Sequence, residues 1–306
     1  MCGIIAIVSR PSARPVPSAG ELIELLDQAV ASATLSDAAE RLVVVDRLLK
    51  GVPGVQALTG QLELVAGITA RLDQLDGRVA AREAELEHDG LHGDVLETAN
   101  AELIAVRDAM WAIRRDRLST AAAVAALSGV DAGQAAVAGY LAVHQALSSI
   151  DRMEVRGRDS AGIHLFVWDH GLDEDDPAVA ALISGRDHDP LFQSGSVRWS
   201  ATCLGFVYKA AAEIGELGDN VRVLRAAVHH DVLLRMALSG PRARVAVLGH
   251  TRWASVGIIS EANCHPLNSD EHAVGADGAV ADGAVADGAV AAGATGYSVA
   301  VLNGDV

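Results

Sequence analysis

Apolar positions along the 306-residue chain change their spacing several times, and each change predicts a different element. Ile4-Ile5-Ala6-Ile7-Val8 is a short, unbroken and mostly β-branched run, which predicts a buried strand beginning just after Met1-Cys2-Gly3. Ser9 to Gly20 holds Pro11, Pro15 and Pro17 and reads as a linker. Helical spacing then takes over in Glu21 to Ser32 and Asp37 to Lys50, and Gly51-Val52-Pro53-Gly54 predicts a stop after the second. Two longer stretches follow a heptad: Val65, Ile68, Leu72, Leu75, Val79, Arg82 and Leu86, then Leu96, Ala99, Leu103, Val106, Met110, Ile113 and Arg117. With a Gly-containing break between them, the two seams predict an antiparallel helical hairpin, weakened where Arg82 and Arg117 replace apolar residues. The Ala-rich Ser119 to Leu127 extends the helical region.

From about Gly139 the texture is mixed. Tyr140 to Met153 predicts a helix and Ile163 to Trp168 a strand. An acidic loop, Asp169 to Asp176, and a short helix come next. A hairpin around Gln193-Ser194-Gly195-Ser196, a strand at Cys203 to Tyr208, a helical stretch from Asn220 to Ser239 and a strand at Arg244 to Leu248 follow. Strands and helices without regular βαβ alternation predict an α+β layered sandwich, 1–10 with 140–306, interrupted by a helical insertion over 11–139. Residues 275–295 repeat Ala-Asp-Gly-Ala-Val with a period of five, which suits neither helix nor strand and reads as a low-complexity loop.

Composition narrows the function classes. Half the residues are apolar but only 3 % aromatic, so the core is aliphatic. A net charge of −16 argues against nucleic acid and anionic membrane surfaces as partners. Cys2, Cys203 and Cys264 have no paired spacing, so neither a disulfide framework nor a cysteine metal site is expected; no cofactor is expected either. The N-terminal apolar run is too short for a signal peptide or a membrane span, which makes the cytoplasm the expected compartment. Only Lys50 and Lys209 of the 24 basic residues are lysines.

Four stretches could carry chemistry. If Met1 is removed, Cys2 carries a thiol and an α-amine on one residue, and that amine titrates near pH 8, roughly two units below a lysine. Arg156-Gly157-Arg158-Asp159-Ser160-Ala161-Gly162 combines tight backbone geometry with a guanidinium able to support a neighbouring loop. Gly249-His250-Thr251-Arg252-Trp253-Ala254-Ser255 follows a strand, where Arg252 suits a small carboxylate and Ser255 adds a hydroxyl. Asn303-Gly304 could aim an amide and a backbone N–H at an oxyanion. Singly, each has a plainer reading: a terminal residue, a surface arginine, a core tryptophan, a turn.

In their order along one chain these stretches resemble the class II glutamine amidotransferases, the N-terminal-nucleophile glutaminases. Asn263-Cys264-His265-Pro266 resembles that family's Asn-Ala-His-Pro. The spellings around Asp159 and Arg252 look most like the glutamine–fructose-6-phosphate aminotransferase branch, with the amidophosphoribosyltransferases second. The resemblance covers the first eight residues and, with interruptions, about 140–306. It implies an αββα sandwich in which Cys2 attacks the glutamine amide with its own α-amine as base. Asn303 and the Gly304 N–H would hold the oxyanion, Arg252 the substrate carboxylate, Trp253 and Ser255 the pocket wall. Arg156 would buttress the nucleophile loop. Glutamine is then the small-molecule partner. A sugar phosphate would receive the ammonia on a downstream isomerase domain, which has no counterpart before Val306.

The chain also departs from the family. Ser255-Val256-Gly257 stands where the family has Thr-His-Gly, and the family's acidic residue for the substrate amine lies beyond Asn-Gly. The expectation is a piece of a longer protein that is incomplete at its C-terminus. The competing expectation is a catalytically inactive, homo-oligomeric assembly module built on the helical insertion.

Overall fold

The computed structural model describes residues 2–89, 93–187, 189–200, 203–211, 216–253, 258–271 and 296–302. The five-residue repeat, Ser255, Asn303 and Gly304 lie outside the described residues. The chain forms two compact units, one combining Met1–Ser9 with Gln145–Val306 and the other spanning Arg10–His144.

In the second unit, Ser18 and Thr34 begin helices α1 (Ala19–Val30) and α2 (Leu35–Leu48), their hydroxyls accepting from Glu21 N and Asp37 N. Gly51-Val52-Pro53-Gly54 opens a helix instead of only ending one: α3 spans Gly51–Leu58. Pro53 falls in its first turn, where an N–H would have no intrahelical partner and its absence costs nothing. α4 (Leu62–Asp89) and α5 (Asp94–Trp111) carry the heptad stripes. Ile68, Leu72, Leu75, Val79 and Leu86 are buried on one, Ala99, Leu103, Val106 and Met110 on the other.

These stripes are not zipped mainly to each other, as a free hairpin would require. α4 packs chiefly on α1 and α5 on α2, giving a helical bundle. Polar ties run along those lines. Arg71 grips Asp27 through two bonds of 2.7 and 3.0 Å, and Arg78 donates to the last carbonyls of α1, Val30 O at 2.7 Å among them. Arg117 does not weaken its seam: its Nε donates to the half-buried Asp46 of α2 at 2.8 Å. Arg82 pairs with Glu85 within its own helix. A π-helical segment, Ala112–Leu118, joins α5 to α6 (Ser119–Ser128), and α7 (Gln134–Met153) leads out of the unit.

The first unit is built on a five-stranded antiparallel sheet in the order β1-β5-β2-β4-β3. The strands are β1 (Gly3–Val8), β2 (Ser160–Trp168), β3 (Val197–Ser200), β4 (Cys203–Ala211) and β5 (Arg244–Arg252). β2, β4 and β5 run past their apolar cores into the neighbouring polar residues, so the Ser160-Ala161-Gly162 and Gly249–Arg252 stretches lie inside the ladder, not in loops after it. β1 is an edge strand and only half buried, with Ile4 and Val8 exposed, because one face of the edge has no described cover. The β3–β4 hairpin turns between Ser200 and Cys203, a few residues later than expected, and Gln193–Ser196 lies along β4 instead.

Ala161, Ile163, Leu165 and Val167 of β2 face one side of the sheet with Phe206 and Tyr208 of β4, all buried. Helices cover that side: Ile150 and Met153 of α7 lie against Gly249 and Gly3, and α9 (Asp219–His230) packs on β4 and β2. α8 (Pro177–Ile183) packs on α10 (Val232–Ser239). The helical stretch expected from Asn220 to Ser239 breaks at Asp231, whose carboxylate caps α10 through Leu234 N, accepts from Tyr208 Oη at 2.8 Å and pairs with Arg186. On the other side of the sheet lies a two-stranded sheet, β6 (Leu267–Glu271) and β7 (Gly296–Ala300), with Tyr297 against Gly205 and stacked on Phe166. The chain is therefore α+β, with helices on one face of the large sheet and a small second sheet on the other.

Asp231 serves three partners at 6 % side-chain exposure, so its loss orphans all of them. Asp231→Ala is expected to cost about 3 kcal/mol in urea unfolding of the intact chain. A loss below about 1 kcal/mol would show that the α9–α10 break is held by apolar packing alone.

Candidate active site

The ladder brings three distant stretches to one end of the sheet. Gly3 pairs with Thr251 and Thr251 with Ala161, while Arg252 pairs with Ser160. Carried one residue further, the β1–β5 register sets Cys2 opposite Arg252. Cys2 itself is half-buried. Its neighbour is fixed more tightly: Gly3 N–H donates to the buried Thr251 Oγ1 at 3.1 Å. Gly3 also has no room for a side chain, because a Cβ there would lie 2.6 Å from Met153 Sδ.

The Asn263-Cys264-His265-Pro266 stretch covers the same end. The His265 carbonyl sits where a Cβ on Gly162 would be, 2.2 Å away, so only glycine fits at 162. Arg252 Nη1 donates to Asn263 O at 3.3 Å, and Asp159 N to Arg252 O at 3.1 Å. Trp253 is half-exposed beyond it. The turn carrying Arg156 is anchored to the start of α9, where the buried Glu154 accepts from Gly218 N and Asn220 Nδ2 donates to Arg158 O at 2.8 Å. Burial raises the Glu154 carboxyl above its usual range, against the opposing pull of the backbone N–H groups it accepts from. Arg156 is exposed, and among the described residues no hydrogen bond joins it to the β1 strand, so the expected buttress is not formed there.

Directly paired residues share a sheet face. Ser160, Gly162 and His164 of β2, Lys209 of β4, and His250 and Arg252 of β5 thus line one face. Four of them are buried with a polar atom that has no hydrogen-bond partner among the described residues: Ser160 Oγ, His164 Nδ1, Lys209 Nζ and His250 Nδ1. Burial dominates their protonation. It pushes His164 down to about 3, with Arg198 and Lys209 adding to the effect, and His250 to about 4, with His265 and Arg252 adding. Burial likewise lowers the Lys209 amine to about 8, partly offset by Cys264, Glu261 and Asp189. It lifts the Cys264 thiol to about 11, so that this second cysteine is a poor nucleophile.

Three of these residues escape a reading of local pattern. Thr251 and His250 sit inside the Gly249–Arg252 stretch without an apparent task. Lys209 carries one signal in the sequence, being a lysine in a chain that otherwise uses arginine. Among the described residues no cluster of three His, Cys, Asp or Glu side chains could hold a metal ion, and no helix is long and apolar enough to cross a membrane. A shallow groove of about 540 Å³ beside Arg186, Tyr208 and Asp231 includes none of the expected site residues. No family model, curated protein or solved structure matches this chain.

Lys209 generates a test of the buried polar face. Its folded-state pKa lies below that of a free lysine, so the unfolded chain binds the proton more readily. Stability is therefore lowest below pH 8 and rises as pH increases from 8 towards 10.5. Lys209→Met removes that penalty, and a gain of about 2–3 kcal/mol at pH 7 is expected from urea unfolding, with a flatter profile up to pH 10. Destabilisation by the methionine variant would mean that the amine has a partner that the fold requires.

Proposed function

We propose that the motif end of the sheet is the active site of an N-terminal-nucleophile glutaminase, with the αββα sandwich as its architecture and Cys2 as nucleophile. The observation that carries this reading is the ladder itself: residues 2–3, 160–162 and 249–252, far apart in sequence, meet edge to edge. A cluster of this kind is what a one-residue nucleophile needs, because the thiol must be held within bonding reach of a substrate clamped elsewhere.

With Met1 removed, the Cys2 α-amine takes the thiol proton as sulfur attacks the side-chain carbonyl carbon of glutamine. The tetrahedral oxyanion is stabilised by Asn303 and the Gly304 N–H. Ammonia leaves with the proton returned by the α-amine, and water hydrolyses the thioester to glutamate, restoring the thiol. Arg252 holds the substrate α-carboxylate, with Trp253 and Ser255 shaping the pocket. The ammonia is passed to a sugar phosphate, fructose 6-phosphate, through a further domain. The thiol chemistry fits a reducing compartment, and all three cysteines are free.

Incubation with a diazoketone analogue of glutamine is expected to leave one covalent adduct on Cys2, seen by mass spectrometry and abolished in Cys2→Ala. An unblocked Cys2 that stays unmodified would overturn the glutaminase reading. Arg252→Ala is expected to raise the KM for glutamine about 30–100-fold, the loss of roughly 2–3 kcal/mol of charge-assisted hydrogen bonding. An unchanged KM would remove Arg252 from the pocket.

A further inference from the structure

His250 and His265 are the two buried imidazoles closest to the chain's final described residues, and both bond the same peptide. His250 Nε2 donates to Leu302 O at 2.9 Å, and Leu302 N–H donates to His265 Nδ1 at 3.2 Å. The two rings lie 4.6 Å apart, centre to centre. His250 comes from β5, directly before Thr251 and Arg252; His265 comes from the stretch that covers Gly162. Leu302 is the residue immediately before Asn303-Gly304.

We propose that His250 and His265 are positioning residues that clasp the Leu302 peptide from both sides and so set where Asn303 and Gly304 stand relative to Cys2. The inference rests on the glutaminase reading and gives it a mechanical basis. A carbonyl and an N–H of one peptide, held by rings from two separate segments, fix both the position and the tilt of the chain entering the oxyanion site. Misplacement of a catalytic donor by about 1 Å is worth roughly 10²-fold in rate.

The two bonds also specify protonation. His250 must carry its proton on Nε2 to donate, which leaves Nδ1 bare, in keeping with that atom's lack of a described partner. His265 must present a bare Nδ1 to accept. Both rings are therefore neutral while the clasp is closed. A proton on His265 Nδ1 would face the Leu302 N–H donor to donor, whereas a proton on His250 Nδ1 would spare its bond but charge a buried ring. The charged groups acting on the pair are Arg252 from β5 and Lys209 from β4, both cationic, and they add to burial in keeping the rings neutral. The folded-state affinities for protons lie below those of free histidine. The clasp is thus complete above about pH 6.5 and is lost as pH falls through the folded-state values, about 4 for His250.

The test uses the full chain in three arms. Long-range ¹H–¹⁵N spectra should show both rings as neutral Nε2–H tautomers at pH 7; a ring that titrates near 6.5 would overturn the clasp without reference to activity. In glutamine hydrolysis, His265→Phe, which removes the acceptor, is expected to lower kcat about 30–100-fold with KM within about threefold. His265→Gln, whose amide oxygen can accept from Leu302 at any pH, is expected to recover most of kcat and to flatten the acidic limb of the pH profile. If wild type forms the diazoketone adduct on Cys2 but His265→Phe keeps its kcat, the clasp is wrong and the glutaminase reading stands. If wild type forms no adduct while both tautomers are as stated, the glutaminase reading fails, and with it the clasp's catalytic role.

Discussion

Antiparallel pairing of β1 with β5 is the constraint on which the rest of the first unit depends. It joins the beginning of the chain to a segment some 248 residues later, through the register Gly3 to Thr251. The Thr251 hydroxyl reinforces the pairing at its end, where Cys2 emerges. Such a contact is entropically distant, yet closure costs grow only with the logarithm of loop length, by about 0.6 kcal/mol per doubling. The intervening Arg10–His144 forms a unit with its own core, so it does not behave as a flexible loop of that length. A large helical insertion after β1 is therefore compatible with precise placement of the residue just before β1.

The same register decides the chemistry of the sheet's second face. Because paired residues point the same way, Ser160, Lys209, His250 and Arg252 are forced together once β2, β4 and β5 align. A face that served only as core would be apolar, as the opposite face is, with Ala161, Ile163, Leu165 and Val167 fully buried. Each buried polar group left without a partner costs about 1–3 kcal/mol. The fold carries several of them at one end of one face, which is the distribution expected of a site and not of a scaffold.

How much of this was legible in the sequence follows from the range of each interaction. The helices of the bundle could be read because heptad burial is local: Ile68, Leu72, Leu75 and Val79 declare their stripe within a few turns. Their partners could not, since nothing in those stripes states that α4 meets α1 and α5 meets α2. Arg117 shows the limit well. As an isolated seam position it reads as a defect, and only the tertiary pairing with Asp46, 71 residues away, makes it a tie. Strand cores were legible, but strand ends were not, because polar residues such as Thr251 and Ser160 join a ladder only when neighbours supply the hydrogen bonds. Cys2 and Arg252 could be named from their local setting, while Thr251, His250 and His265 acquire tasks only through contacts across the fold. Arg156 is the converse case, a residue whose local setting suggested support for β1 and whose side chain is exposed. Ser255, Asn303 and Gly304 lie outside the described residues.

The charge balance at the motif end follows from these placements. Arg252 and Lys209 are cationic, Glu261 offsets Lys209 in part, and the imidazoles of His164, His250 and His265 are held neutral by burial. Had the histidines been charged as well, this end would repel the very ammonium group that an amino-acid substrate carries beside its carboxylate. Neutral rings leave a single exposed-side cation, Arg252, to set the orientation of such a substrate, and they do so with hydrogen bonds that add no field of their own. Burial therefore does two things at once: it keeps the imidazoles in the form that can hold the Leu302 peptide, and it confines the positive potential to the place where a carboxylate would bind.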